Sequence, residues 1–380
     1  MILIRKKSWL RTVLLLVMLL CTMPALATNL KIVPQKNSNF ILEQIAQGLG
    51  VPWGMAFLNA DELIFTERSG QIKLLNLNSL KVETLTGPAI VSSKGQGGML
   101  DVVIGPNYAQ TGWIYFTYTK STADGAATTL ARAKRTNNEL TNWQDLIMSQ
   151  SATGKGQHFG SRITFDDNNH VYFGIGDRGE REQAQNLGNH IGAILRLNLD
   201  GTVPDDNPFL ADNGALDEIW SYGHRNPQGL QFDHDKKVLW SIEHGPRGGD
   251  EINLIRKGKN YGWPVVSHGK EYWGSFDVGE GQTKQGIESP VKVYIPSIAP
   301  GSLLLYSGKA FPNWQGDLFA GALKLQHLNR ISISPDNQAT NEERLLGDLN
   351  HRIRALAQGP QGWIYLSTDS GSILRLRPRQ

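Results

Sequence analysis

The sequence predicts an all-β fold, a six-bladed β-propeller of four-stranded antiparallel sheets with its active site at one mouth of the central channel. Two observations carry this. The chain has 41 glycines and 10 tryptophans among 380 residues and almost no helical periodicity, the pattern of many short strands joined by turns. In addition, one unit recurs six times: an apolar strand, a polar turn, then a second strand rich in aromatic and β-branched residues.

The copies are WGMAFLNADELIFTERSGQIKLLN from Trp53, GMLDVVIGPNYAQTGWIYFTYT from Gly98, SRITFDDNNHVYFGIGDRG from Ser161, GLQFDHDKKVLWSIEHGP from Gly229, GSLLLYSGKAFPNWQGDLFAGALK from Gly301 and IRALAQGPQGWIYLSTDSGSILRL from Ile353. They are spaced by roughly 45 to 75 residues, the period of an irregular propeller. Each copy is the inner hairpin of a blade, and the variable remainder supplies the outer strands. A pair of β-sandwiches does not call for six matching hairpins. The ring is expected to close by pairing a strand near Phe40-Ile41-Leu42 with the last blade around Ser372 to Leu376. No linker rich in Pro, Ser or charge interrupts the chain, so residues 28–380 read as one propeller domain.

Residues 1–27 read as a cleavable signal peptide. Arg5, Lys6, Lys7 and Arg11 precede an unbroken apolar run from Val13 to Leu20, and Ala25-Leu26-Ala27 offers a small-x-small cleavage site. The run is short of the roughly 20 residues that span a bilayer. Its loss removes four positive charges, so the formal +3 becomes −1, which argues against a general nucleic-acid or anionic-membrane binder. The one cysteine, Cys21, leaves with it, so no disulfide and no thiol nucleophile is expected. The mature chain reads as exported, and periplasmic in a Gram-negative cell.

The repeat also predicts where chemistry gathers. The first two strands of a blade are antiparallel, so the start of one and the end of the next share a face of the disc. Gln96, Gln157-His158, Arg225-Asn226, Arg352 and Arg354 stand at the starts. Asp177, His244 to Arg247 and Lys324 follow the second strands. All converge on one mouth, whose cations call for a ligand carrying several carboxylates or phosphates. His158, in GQHFGSR, is a natural general base near neutral pH, and Asp177 is placed to orient it. GIGDRG from Gly174 leads into no βαβ unit, so it is not read as a nucleotide loop. No H-x-x-x-H or Cys-based zinc pattern and no G-x-S-x-G elbow occurs.

The order GQGGMLDVV, GQHFGSR, SYGHRNPQGL, EHGPRGGDEIN, GKNYGWP, GALK and RIRAL resembles the soluble aldose sugar dehydrogenases of the glucose/sorbosone dehydrogenase superfamily, which use pyrroloquinoline quinone (PQQ). The resemblance runs from about Val51 to the C-terminus. It implies that His158 takes the proton of the anomeric hydroxyl as hydride passes to the quinone. Arg225, with Asn226 beside it, would polarise the quinone carbonyl, and Gln96, Tyr272, Lys324, Arg352 and Arg354 would be further cofactor contacts. It also implies Ca²⁺ twice: the carbonyls of Gly245 and Pro246 on an ion bridging to the cofactor, and Glu251 with Tyr261 at a structural one. The substrate would be an aldose and the electron acceptor an unidentified partner. Residues 271–286 are expected to loop over the mouth and influence substrate choice. Two rival readings stand beside this one: a calcium-dependent lactonase of similar shape, which needs carboxylate metal ligands at the mouth, and a non-enzymatic binding propeller.

Overall fold

The computed structural model describes residues 30–33 and 39–379; the signal-peptide reading of residues 1–27 lies outside them. Six antiparallel sheets carry the chain in order. Blade 1 comprises Pro52–Phe57, Glu62–Glu67, Ile72–Asn76 and Val82–Leu85, and blade 2 Met99–Ile104, Trp113–Thr122, Gly125–Thr136 and Glu139–Met148. Blade 3 comprises Ile163–Phe165, His170–Gly174, Ala193–Asn198 and Ile219–Tyr222, and blade 4 Pro227–Asp233, Val238–Glu243, Asp250–Ile255 and Lys292–Tyr294. Blade 5 holds Pro300–Leu305, Leu318–Ala322, Leu328–Ile333 and Ala339–Leu345, and blade 6 begins with Ile353–Gln358, Ile364–Thr368 and Ser372–Pro378.

The two ends of the chain complete blade 6. Phe40–Ala46 pairs with its third strand, Phe40 opposite Pro378 and Leu42 opposite Leu376, and Lys31–Val33 adds a fifth strand outside it. The closure expected from the sequence is therefore the one observed. Alternating strand residues bury their apolar faces between blades. Ile64, Leu74, Met99 and Phe116 fill the space between blades 1 and 2, and Trp240, Ile242, Leu303 and Leu318 that between blades 4 and 5. Each such side chain contributes roughly 1.5–3 kcal/mol of transfer free energy. Among the described residues no helix is long and apolar enough to cross a membrane.

The innermost strands share one irregularity. In five blades the pairing of the first strand with the second slips near its start, leaving out Trp53, Leu100 with Asp101, Gln228, Gly301 and Arg354 in turn. A bulge of this kind turns side chains off the regular pleat. Trp53, Leu100, Gln228 and Arg354 thereby line a cavity of about 190 Å³ at the mouth. A second cavity of about 340 Å³, bounded by Asp101, Arg162, Ser302 and Gln358, occupies the channel toward the opposite face.

Candidate active site

His158 sits at the mouth in a conformation that its loop imposes. Its φ is +54°, the left-handed region that costs a non-glycine residue about 1 kcal/mol or more. Three features hold it there. Its backbone N–H donates to Gln96 Oε1 at 2.8 Å. The neighbouring strand end passes so close that a Cβ on Gly176 would lie 2.3 Å from the His158 carbonyl oxygen, so only glycine fits. Beneath, the buried Arg178 guanidinium donates to the carbonyls of Gln157, Ala126, Ser151 and Lys155 and lies 3.6 Å from the centroid of the Phe159 ring.

His158 Nδ1 lies 2.6 Å from Asp177 Oδ1. The same oxygen accepts the Gly179 N–H at 2.7 Å, and Asp177 Oδ2 accepts Trp263 Nε1–H at 2.8 Å. Burial pushes the Asp177 carboxyl up, but the hydrogen bond and charge of His158 outweigh it and hold it below the usual range. Burial lowers the His158 pKa, opposed by the Asp177 hydrogen bond and reinforced by the Arg225 charge. Asp177 is thus ionised and His158 neutral near pH 7, with the ring proton on Nδ1. Nε2 keeps its lone pair and has no hydrogen-bond partner among the described residues. This is the protonation state a general base requires.

Arg225 stands two residues before the first strand of blade 4, beside this pair. Its backbone N–H donates to Glu243 Oε2 at 2.7 Å, and its guanidinium makes one long bond, Nη1 to the His244 carbonyl at 3.3 Å. The Nε–H is buried without a partner. Buried polar groups are nearly always paired, so this guanidinium is short of an acceptor. Asn226 Oδ1 accepts the Gly160 N–H at 3.2 Å.

The four residues assigned to two calcium sites, Gly245, Pro246, Glu251 and Tyr261, line one cavity of about 20 Å³ together with Glu243. That volume admits one water-sized occupant. Glu243 and Glu251 are directly opposed across adjacent strands. Burial first, and the Glu243 charge second, push Glu251 up to about 8. One buried and one half-buried carboxyl side chain, Glu243 and Glu251, beside backbone carbonyls form an all-oxygen donor set suited to a hard divalent cation.

The remaining expected contacts are distributed unevenly. Arg352 and Arg354 reach the mouth cavity, yet they are not free: both donate to Asp369, Arg352 Nε at 2.8 Å and Arg354 Nε at 2.8 Å with Nη2 at 3.0 Å. Lys324 stands exposed after the second strand of blade 5 and does not line the cavity. Tyr272 is 66% exposed in a loop with Trp273 and Phe276. A bidentate ion pair ties that loop to the rim, Arg181 Nη1 and Nη2 reaching Glu271 at 2.6 and 3.1 Å.

A family described as glucose/sorbosone dehydrogenase matches residues 49–375. The chain belongs to this family. Among its relatives is the aldose sugar dehydrogenase YliI of Escherichia coli, 38% identical over 346 residues, covering 89% of this chain and 93% of that protein. The apo-form structure of the soluble aldose sugar dehydrogenase from Escherichia coli superposes with a TM-score of 0.86 at 36% identity, covering 89% of this chain and 99% of the other. The PQQ-bound aldose sugar dehydrogenase of Streptomyces coelicolor superposes with a TM-score of 0.74 at 25% identity, covering 92% and 98%.

Within this family site, sequence reasoning passed over Glu243, Trp263, Asp369 and the Arg181–Glu271 pair. Glu243 was within reach, because it immediately precedes the His244 motif at a strand end. Trp263 and the Arg181–Glu271 pair depend on partners 86 and 90 residues away, whereas Asp369 ends the same hairpin that carries Arg352 and Arg354.

Proposed function

We propose that the protein is a periplasmic quinoprotein that oxidises aldoses at the anomeric carbon to lactones, with PQQ and Ca²⁺ as cofactors. The observation that carries this is the buried, under-partnered Arg225 guanidinium beside a neutral, Asp177-oriented His158. The family relatives add the cofactor class.

A quinone bound at this mouth supplies the two-electron acceptor for the hydride. The protein's own groups do the rest. His158 Nε2 takes the proton of the anomeric hydroxyl, and Asp177 stabilises the imidazolium that forms. Arg225 and Asn226 offer donors to a carbonyl oxygen gaining charge. Gln96, Arg352 and Arg354, which line the cavity, would hold the cofactor's carboxylates and edges, with Lys324 and Tyr272 reaching it from outside the cavity lining. The carbonyls of Gly245 and Pro246 would hold a Ca²⁺ that supplies Lewis-acid chemistry to the cofactor, and Glu251 with Tyr261 would hold a structural one. The small cavity, lined by all four residues, supports a single such ion through its donor chemistry and its volume.

The test is reconstitution of the apo-protein with PQQ and Ca²⁺, followed by dye reduction with a panel of aldoses. Expected is dye reduction with wild type, and for His158→Ala a loss of about 10²–10⁴-fold in turnover with quinone binding retained. Quinone binding without reduction by any sugar sinks the aldose reading. Equal loss of binding and turnover in His158→Ala sinks the base assignment.

A further inference from the structure

We infer that Arg162 is the positioning residue of the cofactor cavity, a single planar guanidinium that sets the placement of the bulged strand starts of all five other blades. It stands one residue before the innermost strand of blade 3, the blade whose inner pair shows no register shift.

Its contacts go to every other blade. Nε donates to the Gln228 carbonyl at 3.0 Å in blade 4. Nη1 donates to Asp101 Oδ1 at 2.9 Å in blade 2. Nη2 donates to the Gly301 carbonyl at 2.7 Å in blade 5 and to the Arg354 carbonyl at 3.0 Å in blade 6. The guanidinium carbon lies 4.0 Å from the Trp53 ring centroid in blade 1. Trp53, Asp101, Gln228, Gly301 and Arg354 are the residues left out of the ladder in their blades.

The physical logic follows from the bulges. A residue outside the ladder lacks its ordinary ladder partners, and a buried carbonyl must be satisfied elsewhere. Arg162 satisfies three such carbonyls at once. Arg354 and Gln228 project from these bulges into the mouth cavity, and Trp53 walls it. The Gln228 amide in turn donates to the Gly160 carbonyl at 3.1 Å and lies 3.3 Å from Asn226 Oδ1. Asp101 Oδ2 accepts the Ile163 N–H at 2.9 Å, which fixes the strand that follows Arg162. Arg162 touches none of the reacting groups. It acts through Trp53, Gln228 and Arg354, and Lys has no planar fork with which to replace it. The inference rests on the proposed function in that this cavity receives a quinone.

The test compares Arg162→Met and Arg162→Lys with Arg330→Met. Arg330 is similarly bonded, to Asp317, Glu343 and the Asn313 carbonyl, on the third strand of blade 5. Two readouts are taken: PQQ affinity in Ca²⁺ by quenching of tryptophan fluorescence, and hydrogen exchange of residues 300–305 and 353–358 in the apo-protein. Expected is binding at least about tenfold weaker in both Arg162 variants, equivalent to about 1.4 kcal/mol, with faster exchange in both segments. Arg330→Met should stay within about twofold of wild type. The inference is overturned if Arg162→Lys matches wild type, or if Arg162→Met weakens binding no more than Arg330→Met does. Should Arg162→Met not fold, Asp101→Asn, which leaves the three carbonyl bonds in place, must accelerate exchange less than Arg162→Lys or the inference fails. Wild type that binds no PQQ defeats the proposed function instead, and the exchange data then decide on Arg162 alone.

Discussion

Asp177→Asn is the substitution from which the site predicts most. The carboxylate accepts from His158 Nδ1 and Gly179 N–H on one oxygen and from Trp263 Nε1–H on the other. An amide of the same shape must set its NH₂ against one of these sets of donors. Placed toward His158, it donates to Nδ1, moves the ring proton to Nε2 and abolishes the base. Placed toward Trp263, it strands an indole N–H at a cost of about 1–3 kcal/mol. In either pose the charge facing the developing imidazolium is gone. A unit pair near 4 Å is worth about 4 kcal/mol at an effective dielectric of 20. The expected loss in kcat is therefore about 10²–10⁴-fold. The pH dependence has a definite sign. Burial lowers the His158 pKa and Asp177 raises it, so removing the carboxylate lowers it further. The acid limb of kcat/KM, already below the ordinary histidine range in wild type, should move to lower pH while the plateau falls. Stopped-flow reduction of the reconstituted enzyme by excess aldose across pH values from about 4 to 8 brackets the ordinary histidine pKa and reads both effects. A variant that keeps kcat within about threefold, or whose acid limb moves upward, would refute the pairing of Asp177 with a catalytic His158.

Two further outcomes concern the ion and the loop. Calcium at about 100 times its Kd should stabilise wild type by about 2.7 kcal/mol, a rise of about 4 °C in Tm for a chain of this size. Glu251→Gln should lose most of that rise, yet be no less stable than wild type in chelator near neutral pH, because the amide imitates the protonated carboxyl that burial favours; scanning fluorimetry with and without Ca²⁺ checks both. Glu271→Gln weakens the clasp on Arg181, which is partly exposed, and should raise KM for the sugar about two- to fivefold with little change in kcat, as steady-state kinetics would measure.

What the sequence made legible was local. Each inner hairpin announced itself through a polar turn between two apolar strands, and Asp177 and His158 came together because both stand at the same end of one such hairpin. Register is different. Whether Gln228 or Arg354 lies inside or outside a ladder depends on the strand beside it, so the bulges that shape the cavity leave no mark in their own segment. Charge neutralisation was hidden for a related reason. Arg352 and Arg354 read as free cations awaiting a ligand, but Asp369 follows the partner strand of their hairpin and accepts from both. Part of the positive mouth is consequently spent within the protein, and Arg225 is a buried guanidinium beside His158 that is short of acceptors. The Arg181–Glu271 clasp joins residues 90 positions apart, a separation that no motif spacing encodes.

One constellation looks hydrolytic and its position argues otherwise. Ser221 Oγ lies 2.9 Å from His224 Nε2, and His224 Nδ1 lies 3.0 Å from Glu243 Oε1, the geometry of a serine–histidine–carboxylate triad. Ser221 and His224 are both 0% exposed, and the imidazole stacks on Tyr261 at 4.7 Å. A nucleophile with no path to a carbonyl carbon does no acyl transfer. The chain of bonds instead ends on Glu243, which uses its other oxygen to hold the Arg225 N–H and lines the small acidic cavity. The triad therefore fixes one carboxylate relative to two things at once, the cavity suited to a cation and the backbone of Arg225. A lactonase would need its acidic ligands open to substrate. Here Glu243 is buried and Glu251 half-buried in a small side cavity, and what stands at the opening is His158, an imidazole with a free lone pair and a carboxylate behind it.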